Sequence, residues 1–353
     1  MKAATYLKIT IIGTLLLLIG FAGINIYIDP LFHYHAPTEG IEYPLWDERY
    51  MNDGIVRNFE YDAILTGTSM AQNFKPSQFD EHFGTTMIKV PFAGGSYKEI
   101  NRLLQRAFEE NDNIRYVVRG LDLTGLIRDK DMWTHEDYPD YLYDDNIWND
   151  VVYVLNKDIY FTFTEYVFTF MDMGGKSSTF DIYQNWAWDY EYSAKKMKEN
   201  WEREEFADEE LVLTEEDICM ITENMEQNVL QLVEANPETE FYFFIPPYSV
   251  CYWDSLLRGG ELNRMVDAQK LQIELILPYP NVKVFSFFDE TDIICNLGYY
   301  GDYIHYNQYV TDFIMESMIE DENRITQDNY EEYIDFIRKY YTEFDYNTFF
   351  TVE

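Results

Sequence analysis

Basic residues are scarce in this chain of 353 residues. Only 26 lysines and arginines stand against 64 aspartates and glutamates, which gives a formal net charge of −38. Nucleic acids and anionic membrane surfaces bind clustered Lys and Arg side chains, so the composition argues against both as partners. It leaves a strongly solvated acidic surface, or one that attracts a cationic group such as an amine-bearing acyl donor.

Cysteine and histidine are also sparse, and neither forms a metal or redox motif. The three cysteines, Cys219, Cys251 and Cys295, lack Cys-x-x-Cys spacing, and buried thiols account for them more simply than a disulfide. His33 and His35 are two residues apart, but no acidic or cysteine partner stands at ligand spacing. We therefore expect neither a metal nor a cofactor.

A long apolar run, by contrast, occupies residues 9–28. Its length matches the roughly 20 residues that cross a bilayer. Lys2 and Lys8 precede it and Asp29 follows it, so the positive-inside rule places residues 1–8 in the cytoplasm and the remainder outside the cell membrane. A cleaved signal peptide is the alternative, but residues 25–30 offer no small-x-small cleavage site. We predict a single-pass anchor.

Beyond the anchor, we predict a lead-in segment at residues 29–53 and an extracytoplasmic domain at residues 54–353. Short apolar segments predict strands at 63–66, 86–90, 115–120, 240–245 and 283–287. Amphipathic helices are predicted at 96–111, 215–234 and 261–277, the first with a capping box of Ser96 and Glu99. This alternation predicts an α/β fold with a parallel sheet between helix layers, and ligands collect at the carboxyl ends of such strands.

Residues 125–212 interrupt the alternation with many aromatic side chains, Trp133, Trp148, Trp186 and Trp188 among them, interleaved with Asp and Glu. We predict an aromatic helical insertion after the third strand. It either packs on itself or forms a cap above the carboxyl edge of the sheet, where its rings stack on sugars or meet the membrane surface.

Two distant segments carry the residues of a serine enzyme. Ser69 follows the strand at 63–66 and a glycine turn, which is the layout of an exposed nucleophile. A serine hydroxyl needs a base, and the base needs an orienting group. Asp302 and His305 stand three residues apart, so one turn presents both on one face. We predict Ser69 as the nucleophile, His305 as its base and Asp302 as the orienting carboxylate, although each pattern alone also occurs without a catalytic role.

These positions resemble the first and fifth sequence blocks of the SGNH (GDSL-like) hydrolase superfamily. Residues 57–62, 73–74 and 88–96 are similar to a narrower group, the membrane-anchored DltD-like proteins of bacterial surface-polymer loci. The resemblance covers residues 40–125 and 236–320. It implies a flavodoxin-like, three-layer α/β/α fold and an activity on acyl esters of a cell-surface polysaccharide or teichoic-type polymer.

Acyl transfer also needs hydrogen-bond donors for the oxyanion. The backbone N–H of Ser69 is one candidate. Gly95 or Gly94 is the second, with Gly95 as the predicted donor, because the turn at these two glycines resembles the glycine block of SGNH enzymes, and glycine lets the backbone approach a substrate closely. Gly94 is expected to contact the substrate. A tight turn between strand and helix would explain both glycines equally well.

The third donor of the family is an asparagine in Gly-x-Asn-Asp, and here the sequence departs from it. Asp122 stands at that place, and an ionised carboxylate repels an oxyanion. Three interpretations remain open: Asp122 is held protonated, it binds a cationic group of the substrate, or it is structural. Asn73, one helical turn beyond Ser69, is the predicted replacement for the missing amide.

Together these residues predict an extracytoplasmic esterase or O-acyltransferase. Its expected partners are a surface glycopolymer or its acyl donor, and a membrane O-acyltransferase. The alternative is a non-catalytic accessory protein that keeps the SGNH fold and binds the polymer or the acyltransferase. A periplasmic solute-binding protein would fit the acidic charge but would leave Ser69, Asp302 and His305 unexplained. Hydrolysis and transfer are both compatible with the sequence.

Overall fold

The computed structural model describes residues 3–135, 138–188 and 190–351. The chain divides into two compact units, one formed by residues 1–60 and 136–179 and the other by residues 61–135 and 180–353. The segment predicted as a single insertion, 125–212, is therefore shared between the two units. The lead-in segment, 29–53, belongs to the same unit as the N-terminal helix.

The elements are as follows in chain order. The strands are β1 (Ala63–Thr66), β2 (Met87–Lys89), β3 (Tyr116–Gly120), β4 (Glu240–Ile245), β5 (Val282–Ser286) and β6 (Arg324–Ile325). The α-helices are α1 (Ala3–Ile28), α2 (Glu48–Asn58), α3 (Pro76–Phe83), α4 (Tyr97–Glu110), α5 (Val151–Val154), α6 (Glu165–Asp172), α7 (Ala194–Asn200), α8 (Glu215–Met225), α9 (Gln231–Ala235), α10 (Val250–Arg258), α11 (Leu262–Ile276), α12 (Thr291–Ile294), α13 (Gln308–Glu320), α14 (Tyr330–Glu343) and α15 (Tyr346–Phe349). Two π-helical segments cover Ile159–Thr164 and Glu226–Leu230.

The first unit is helical and contains α1, α2, α5 and α6. Within the described ranges, α1 is the single helix long and apolar enough to cross a membrane, a property that signal sequences share. Its side chains are exposed from Ala3 to Gly20, and burial begins only in its last turns. After α1, the chain turns around Asp29, whose carboxylate accepts hydrogen bonds from the N–H groups of His33 (3.0 Å), Tyr34 (2.7 Å) and His35 (3.0 Å).

The second unit is built on a sheet with the strand order β2-β1-β3-β4-β5-β6. The first five strands are parallel, and β6 pairs antiparallel with β5. The five parallel strands have the order 2-1-3-4-5, which is that of flavodoxin-like doubly wound folds. Almost every strand residue is buried, as expected when helices cover both faces of a parallel sheet.

Helices connect the parallel strands, and the general right-handedness of such crossovers distributes them over the two faces of the sheet. On one face α3 contacts α13, and on the other α11 contacts α8 and α14. The capping box of α4 forms as predicted: Glu99 N–H donates to Ser96 Oγ (3.2 Å), and Ser96 N–H donates to the Glu99 carboxylate (2.8 Å). The predicted α/β class, with its largely parallel sheet and N-terminal apolar helix, is confirmed.

The topology brings three predicted site segments to one edge of the sheet. The connection that leaves β1 runs to β2 on one side and the connection that leaves β3 runs to β4 on the other, so the loops after β1 and β3 diverge between these two neighbouring strands. Ser69 follows β1, Gly94 follows β2 and Asp122 follows β3. Because parallel strands end at the same edge, the divergence point opens a crevice there, the usual place for a ligand in such sheets.

Candidate active site

Ser69 stands at the start of a short 3₁₀ turn, Ser69–Ala71, that follows β1. The hydroxyl of Thr68 caps this turn by accepting from Met70 N–H (3.3 Å). The carbonyl of Ser69 accepts from Gln72 N–H (3.2 Å) and from Trp186 Nε1–H (3.2 Å). Ser69 is half-buried. Its backbone is thus held on both sides while its hydroxyl stays within reach of a substrate.

The three predicted catalytic side chains form a continuous hydrogen-bond chain. Ser69 Oγ lies 2.9 Å from His305 Nε2, and His305 Nδ1 lies 2.7 Å from Asp302 Oδ2. These distances are within the hydrogen-bond range that a nucleophile, a base and an orienting carboxylate require. Ser69 and His305 are 236 residues apart in sequence, so the fold alone brings them together.

The loop that carries Asp302 and His305 is fixed to the nucleophile turn. An antiparallel bridge joins Tyr300 to Tyr306, and Gly301 N–H donates to His305 O (2.9 Å). The fully buried Tyr306 donates through its hydroxyl to Met70 O (3.2 Å), one residue beyond Ser69. This bond ties the base to the nucleophile independently of their own contact.

Asp302 is held in its ionised form. Burial favours the neutral acid, but hydrogen bonds from the His305 side chain, from His305 N–H (2.8 Å) and from Ile304 N–H (2.9 Å) outweigh it and lower the pKa of Asp302. An anionic Asp302 next to Nδ1 keeps the proton on that nitrogen and leaves Nε2 free to accept the proton of Ser69.

Two aromatic rings surround His305. The indole of Trp186 meets the imidazole edge-on, with ring centroids 5.1 Å apart, and the ring of Tyr190 stacks beside it at 5.9 Å. Trp186 belongs to the segment predicted as an insertion, for which self-packing and a cap were the two interpretations. Here this part of the segment packs around the triad. The sequence showed its aromatic content but gave no signal for which ring would reach His305.

The structure argues against two of the predicted oxyanion donors. Gly95 N–H donates to Phe92 O (2.8 Å) and closes the turn itself, so it is not available to a substrate. Asn73 is buried, accepts from Trp186 N–H through Oδ1 (3.0 Å), and is not among the residues that line the pocket described below. Asn73 therefore anchors the Trp186 segment through Oδ1, while its Nδ2 is buried without a hydrogen-bond partner among the described residues and lies outside the pocket wall.

Two backbone donors remain at the site. Among the hydrogen bonds of the described residues, the N–H groups of Ser69 and Gly94 have no acceptor, and both residues line the same pocket. Gly94 has φ = 62°, a left-handed conformation that suits glycine and lets the turn expose its backbone. Gly94 thus lines the pocket beside Ser69, and its contact with a substrate stays a prediction.

Asp122 is buried next to the nucleophile turn. Its Oδ2 accepts from the hydroxyl of Thr68 (2.8 Å), and its Oδ1 accepts from the hydroxyl of Tyr248 (2.7 Å). Burial raises the pKa of Asp122, and the hydrogen bonds from Tyr248 and Thr68 oppose that effect. Of the three interpretations, this geometry favours the structural one, because both carboxylate oxygens hold protein hydroxyls and one of these hydroxyls precedes Ser69.

A pocket of about 520 Å³ opens beside Ser69 and His305. Its wall is mixed: apolar side chains include Met70, Met132 and Ile304, and the cations of Lys98 and Arg128 also line it. Lys98 is paired with Asp131 (2.8 Å). Met132 and Arg128 belong to the loop after β3, and nothing in the local sequence pattern marked them as site residues.

The residues weighed as metal ligands or disulfide partners have other contacts. His33 Nε2 lies 3.4 Å from Asp150 Oδ1, and His35 bonds through both ring nitrogens to the carbonyls of Ala36 and Ile26. The three cysteines are free thiols, but only Cys251 is buried; Cys219 is exposed and Cys295 is half-buried, so the prediction of three buried thiols is wrong for Cys219. In the described part of the chain, no group of three or more His, Cys, Asp and Glu side chains is placed to hold a metal ion.

Comparisons with known proteins found a weak structural similarity, but no protein-family model and no curated protein matches the chain. Among solved structures, it is similar to a Streptococcus pneumonia protein described only as a candidate platelet activating factor. The two share 10% sequence identity with a TM-score of 0.40, over 78% of this chain and 90% of the other.

Proposed function

We propose that this chain is an extracytoplasmic serine esterase or O-acyltransferase of the SGNH type. One observation carries the proposal: Ser69 Oγ, His305 Nε2, His305 Nδ1 and Asp302 Oδ2 follow one another at 2.9 Å and 2.7 Å. A histidine with a purely structural role does not require a serine on one ring nitrogen and a carboxylate on the other. A histidine that acts as the base of a serine nucleophile requires both. The pocket beside them has room for a short acyl group.

In the proposed reaction, Ser69 attacks the carbonyl carbon of an acyl ester and passes its proton to His305 Nε2. Asp302 stabilises the imidazolium that forms, and His305 then protonates the leaving alkoxide, which frees the alcohol and leaves an acyl-serine. Water or a second hydroxyl next attacks the acyl-serine with His305 as base. Water completes hydrolysis, and a polymer hydroxyl completes transfer.

The oxyanion of each tetrahedral intermediate would be stabilised by the N–H groups of Ser69 and Gly94. Both donors belong to the backbone at the ends of adjacent strands, so they are fixed before a substrate arrives. This arrangement replaces the predicted pair of Ser69 and Gly95.

The substrate class and the location also remain proposals. The resemblance of residues 57–62, 73–74 and 88–96 to the DltD-like group supports acyl esters of a surface polysaccharide or teichoic-type polymer as the substrate. Helix α1, preceded by Lys2 and followed by Asp29, supports a single-pass anchor with the catalytic unit outside the cell. Buried side chains in its last turn, Asn25 and Ile28, would be lost on signal cleavage, which favours an uncleaved helix.

A serine-directed probe tests the chemistry without a known substrate. Full-length protein in detergent should gain the mass of one fluorophosphonate adduct, mapped to Ser69, and should hydrolyse a p-nitrophenyl ester of a short acyl group. Ser69→Ala and His305→Ala should lose both activities. Ser255→Ala is the matched control, because its hydroxyl donates to Tyr252 O (2.8 Å) within α10 and does not line the pocket. Equal labelling of Ser69→Ala and wild type would refute the nucleophile.

A cellular experiment separates the esterase, the transferase and the accessory protein. The ester content of the surface polymer is compared among cells with the wild type, with Ser69→Ala and without the gene. Loss of an esterase should raise ester content in both mutants, and loss of a transferase should lower it in both. A non-catalytic accessory protein should show a change only in the deletion, an outcome that would refute the enzymatic proposal.

A further inference from the structure

A helical segment of the first unit, residues 147–173, packs against the C-terminal turns of α1. We call this segment the arm; it contains α5, the π-helical residues Ile159–Thr164 and α6. The ring of Phe21 lies 4.8 Å from that of Tyr160. The fully buried side chain of Asn25 donates to Val154 O (3.1 Å) and accepts from the hydroxyl of Thr164 (2.8 Å). The arm is therefore fixed at a defined height along α1.

Polar contacts just beyond α1 strengthen this attachment. Tyr153, fully buried in α5, donates to the carboxylate of Asp29 (2.6 Å). The arm also accepts a hydrogen bond from the lead-in segment, from the hydroxyl of Tyr34 to Asp150 (3.0 Å). These bonds fix one face of the arm and leave its opposite face outward.

The outward face is strongly apolar. Trp148, Val151, Val152 and Leu155 follow helical spacing of i, i+3, i+4 and i+7, and all four are exposed. Trp148 is 85% exposed, and further along the arm Phe161, Phe168 and Met173 are exposed as well. Single exposed apolar residues are ordinary, but so many within one short segment indicate a surface that contacts something other than water.

The length of α1 identifies a bilayer as the partner of that face. The apolar run at residues 9–28 begins after Lys8 and is about 30 Å long at 1.5 Å per residue, which matches the hydrocarbon core of a bilayer. Phe21 and Asn25, where the arm is attached, then lie about 5–10 Å inside the outer boundary of that core, which is the depth at which interfacial helices insert.

The composition of the arm fits the boundary between hydrocarbon and headgroups. Tryptophan and tyrosine concentrate at that boundary because their rings are apolar and their N–H and O–H groups are polar. Charged side chains, Lys157, Asp158 and Glu165, are exposed on the same arm and would stay among the headgroups. Acidic residues outnumber basic ones among them, so attraction to anionic lipid is not part of the binding.

We propose that the arm lies in the interface of the same bilayer that α1 spans, with Trp148 and its apolar neighbours inserted among the lipid acyl chains. This proposal rests on the proposed membrane anchor. The arm is then a second membrane contact, and it holds the first unit against the bilayer surface. Without it, α1 alone would attach this unit to the bilayer.

Bromine-labelled lipid tests the insertion directly. The full chain is reconstituted into phosphatidylcholine vesicles whose acyl chains carry bromine near the headgroup end, and the quenching of tryptophan fluorescence is measured. Trp148→Phe should remove about half or more of the tryptophan emission that bromine quenches. The reason is that a ring at the interface lies at the same depth as the brominated positions of the acyl chains. Trp188→Phe is the matched control: Trp188 is 76% exposed but belongs to the other unit. It should leave quenching unchanged.

The outcomes separate the two proposals. If alkaline carbonate releases the protein from the vesicles, the anchor is wrong, and the placement of the arm with it. If the protein stays anchored and the fluorescence of Trp148→Phe is quenched as much as that of the wild type, only the arm proposal is wrong. The apolar face of the arm would then bind a protein partner. Quenching should not rise when anionic phosphatidylglycerol is added; a dependence on it would contradict insertion driven by apolar contact.

Discussion

Replacing Asp302 by asparagine isolates the role of one proton in the proposed triad. Asp302 Oδ1 accepts from the N–H groups of Ile304 (2.9 Å) and His305 (2.8 Å), and Oδ2 faces His305 Nδ1 at 2.7 Å. An asparagine keeps the two backbone bonds through its oxygen, so the loop should keep its shape. Its NH₂ group then takes the place of Oδ2 and donates to Nδ1. The proton of a neutral His305 must therefore move to Nε2, where it faces Ser69 and prevents proton transfer from the hydroxyl.

The size of the loss follows from the bonds that change. The hydrogen bond from an imidazolium to the Asp302 carboxylate is of the charged type, worth about 1.5–3 kcal/mol. In Asp302→Asn, the reactive tautomer has its proton on His305 Nδ1, where it would face the NH₂ group of the new amide. Two donors would then meet, and the donor left without an acceptor costs about 1–3 kcal/mol. A total near 3–5 kcal/mol corresponds to a rate loss of about 10²–10⁴-fold at 1.36 kcal/mol per decade.

The assay is the second-order rate constant for fluorophosphonate labelling of Ser69, which requires an activated serine but no turnover. Asp328→Asn, an exposed position, is the control for loss of one negative charge. Hydrogen bonds hold the pKa of Asp302 below its usual value despite burial, so its contribution is present above about pH 4 and is lost only in stronger acid. The wild-type pH profile should thus show no step from Asp302 above pH 4. A decrease of less than tenfold in Asp302→Asn, with an unchanged melting temperature, would refute the reasoning.

Four further substitutions test the surroundings of the triad. Burial lowers the pKa of Lys89 to about 7 while its Nζ donates to two backbone carbonyls. The unfolded chain therefore binds more protons than the folded chain between pH ~7 and ~10.4, and thermal melts should show wild type gaining stability relative to Lys89→Met across that window. A Cβ on Gly301 would lie 2.1 Å from the Tyr190 ring, so Gly301→Ala should displace the ring from His305 and slow labelling by up to about tenfold, as should Tyr190→Ala. Tyr248→Phe removes a donor to the buried Asp122 and should reduce the free energy of unfolding by about 1–3 kcal/mol, measured by denaturant titration.

Local patterns in the sequence account for most of the fold. The strands Ala63–Thr66 and Glu240–Ile245 occur at the predicted bounds, because each is a short apolar segment between turn residues. The helix predicted at 215–234 is present as α8 and α9 joined by a π-helical segment, which apolar periodicity does not distinguish from one α-helix. The strand β6 was not predicted, because a two-residue antiparallel edge has no periodicity to detect.

The site was predictable where its contacts are local in sequence. Asp302 and His305 are three residues apart, so their hydrogen bond could be inferred from spacing. The contact of Trp186 with His305 joins residues that are far apart in sequence, and no local pattern encodes it. The prediction for Gly95 did not hold for a different reason: a pair of glycines indicates a tight turn but not the direction in which each N–H points.

Asp122 stands where the SGNH pattern that this sequence resembles has an amide donor, and this difference bears on the expected rate of the proposed reaction. No side-chain amide replaces the absent donor in the described pocket wall, since Asn224, the asparagine that lines it, donates to the carbonyls of Gly125 and Leu126. Asp122 uses its oxygens to hold Thr68 and Tyr248, so this position serves the geometry of the nucleophile turn. A site left with the N–H groups of Ser69 and Gly94 lacks one donor, a deficit of about 2.7–4 kcal/mol in barrier. We therefore expect slow turnover of small free esters, and faster reaction only where the polymer itself holds the acyl carbonyl against these two amides.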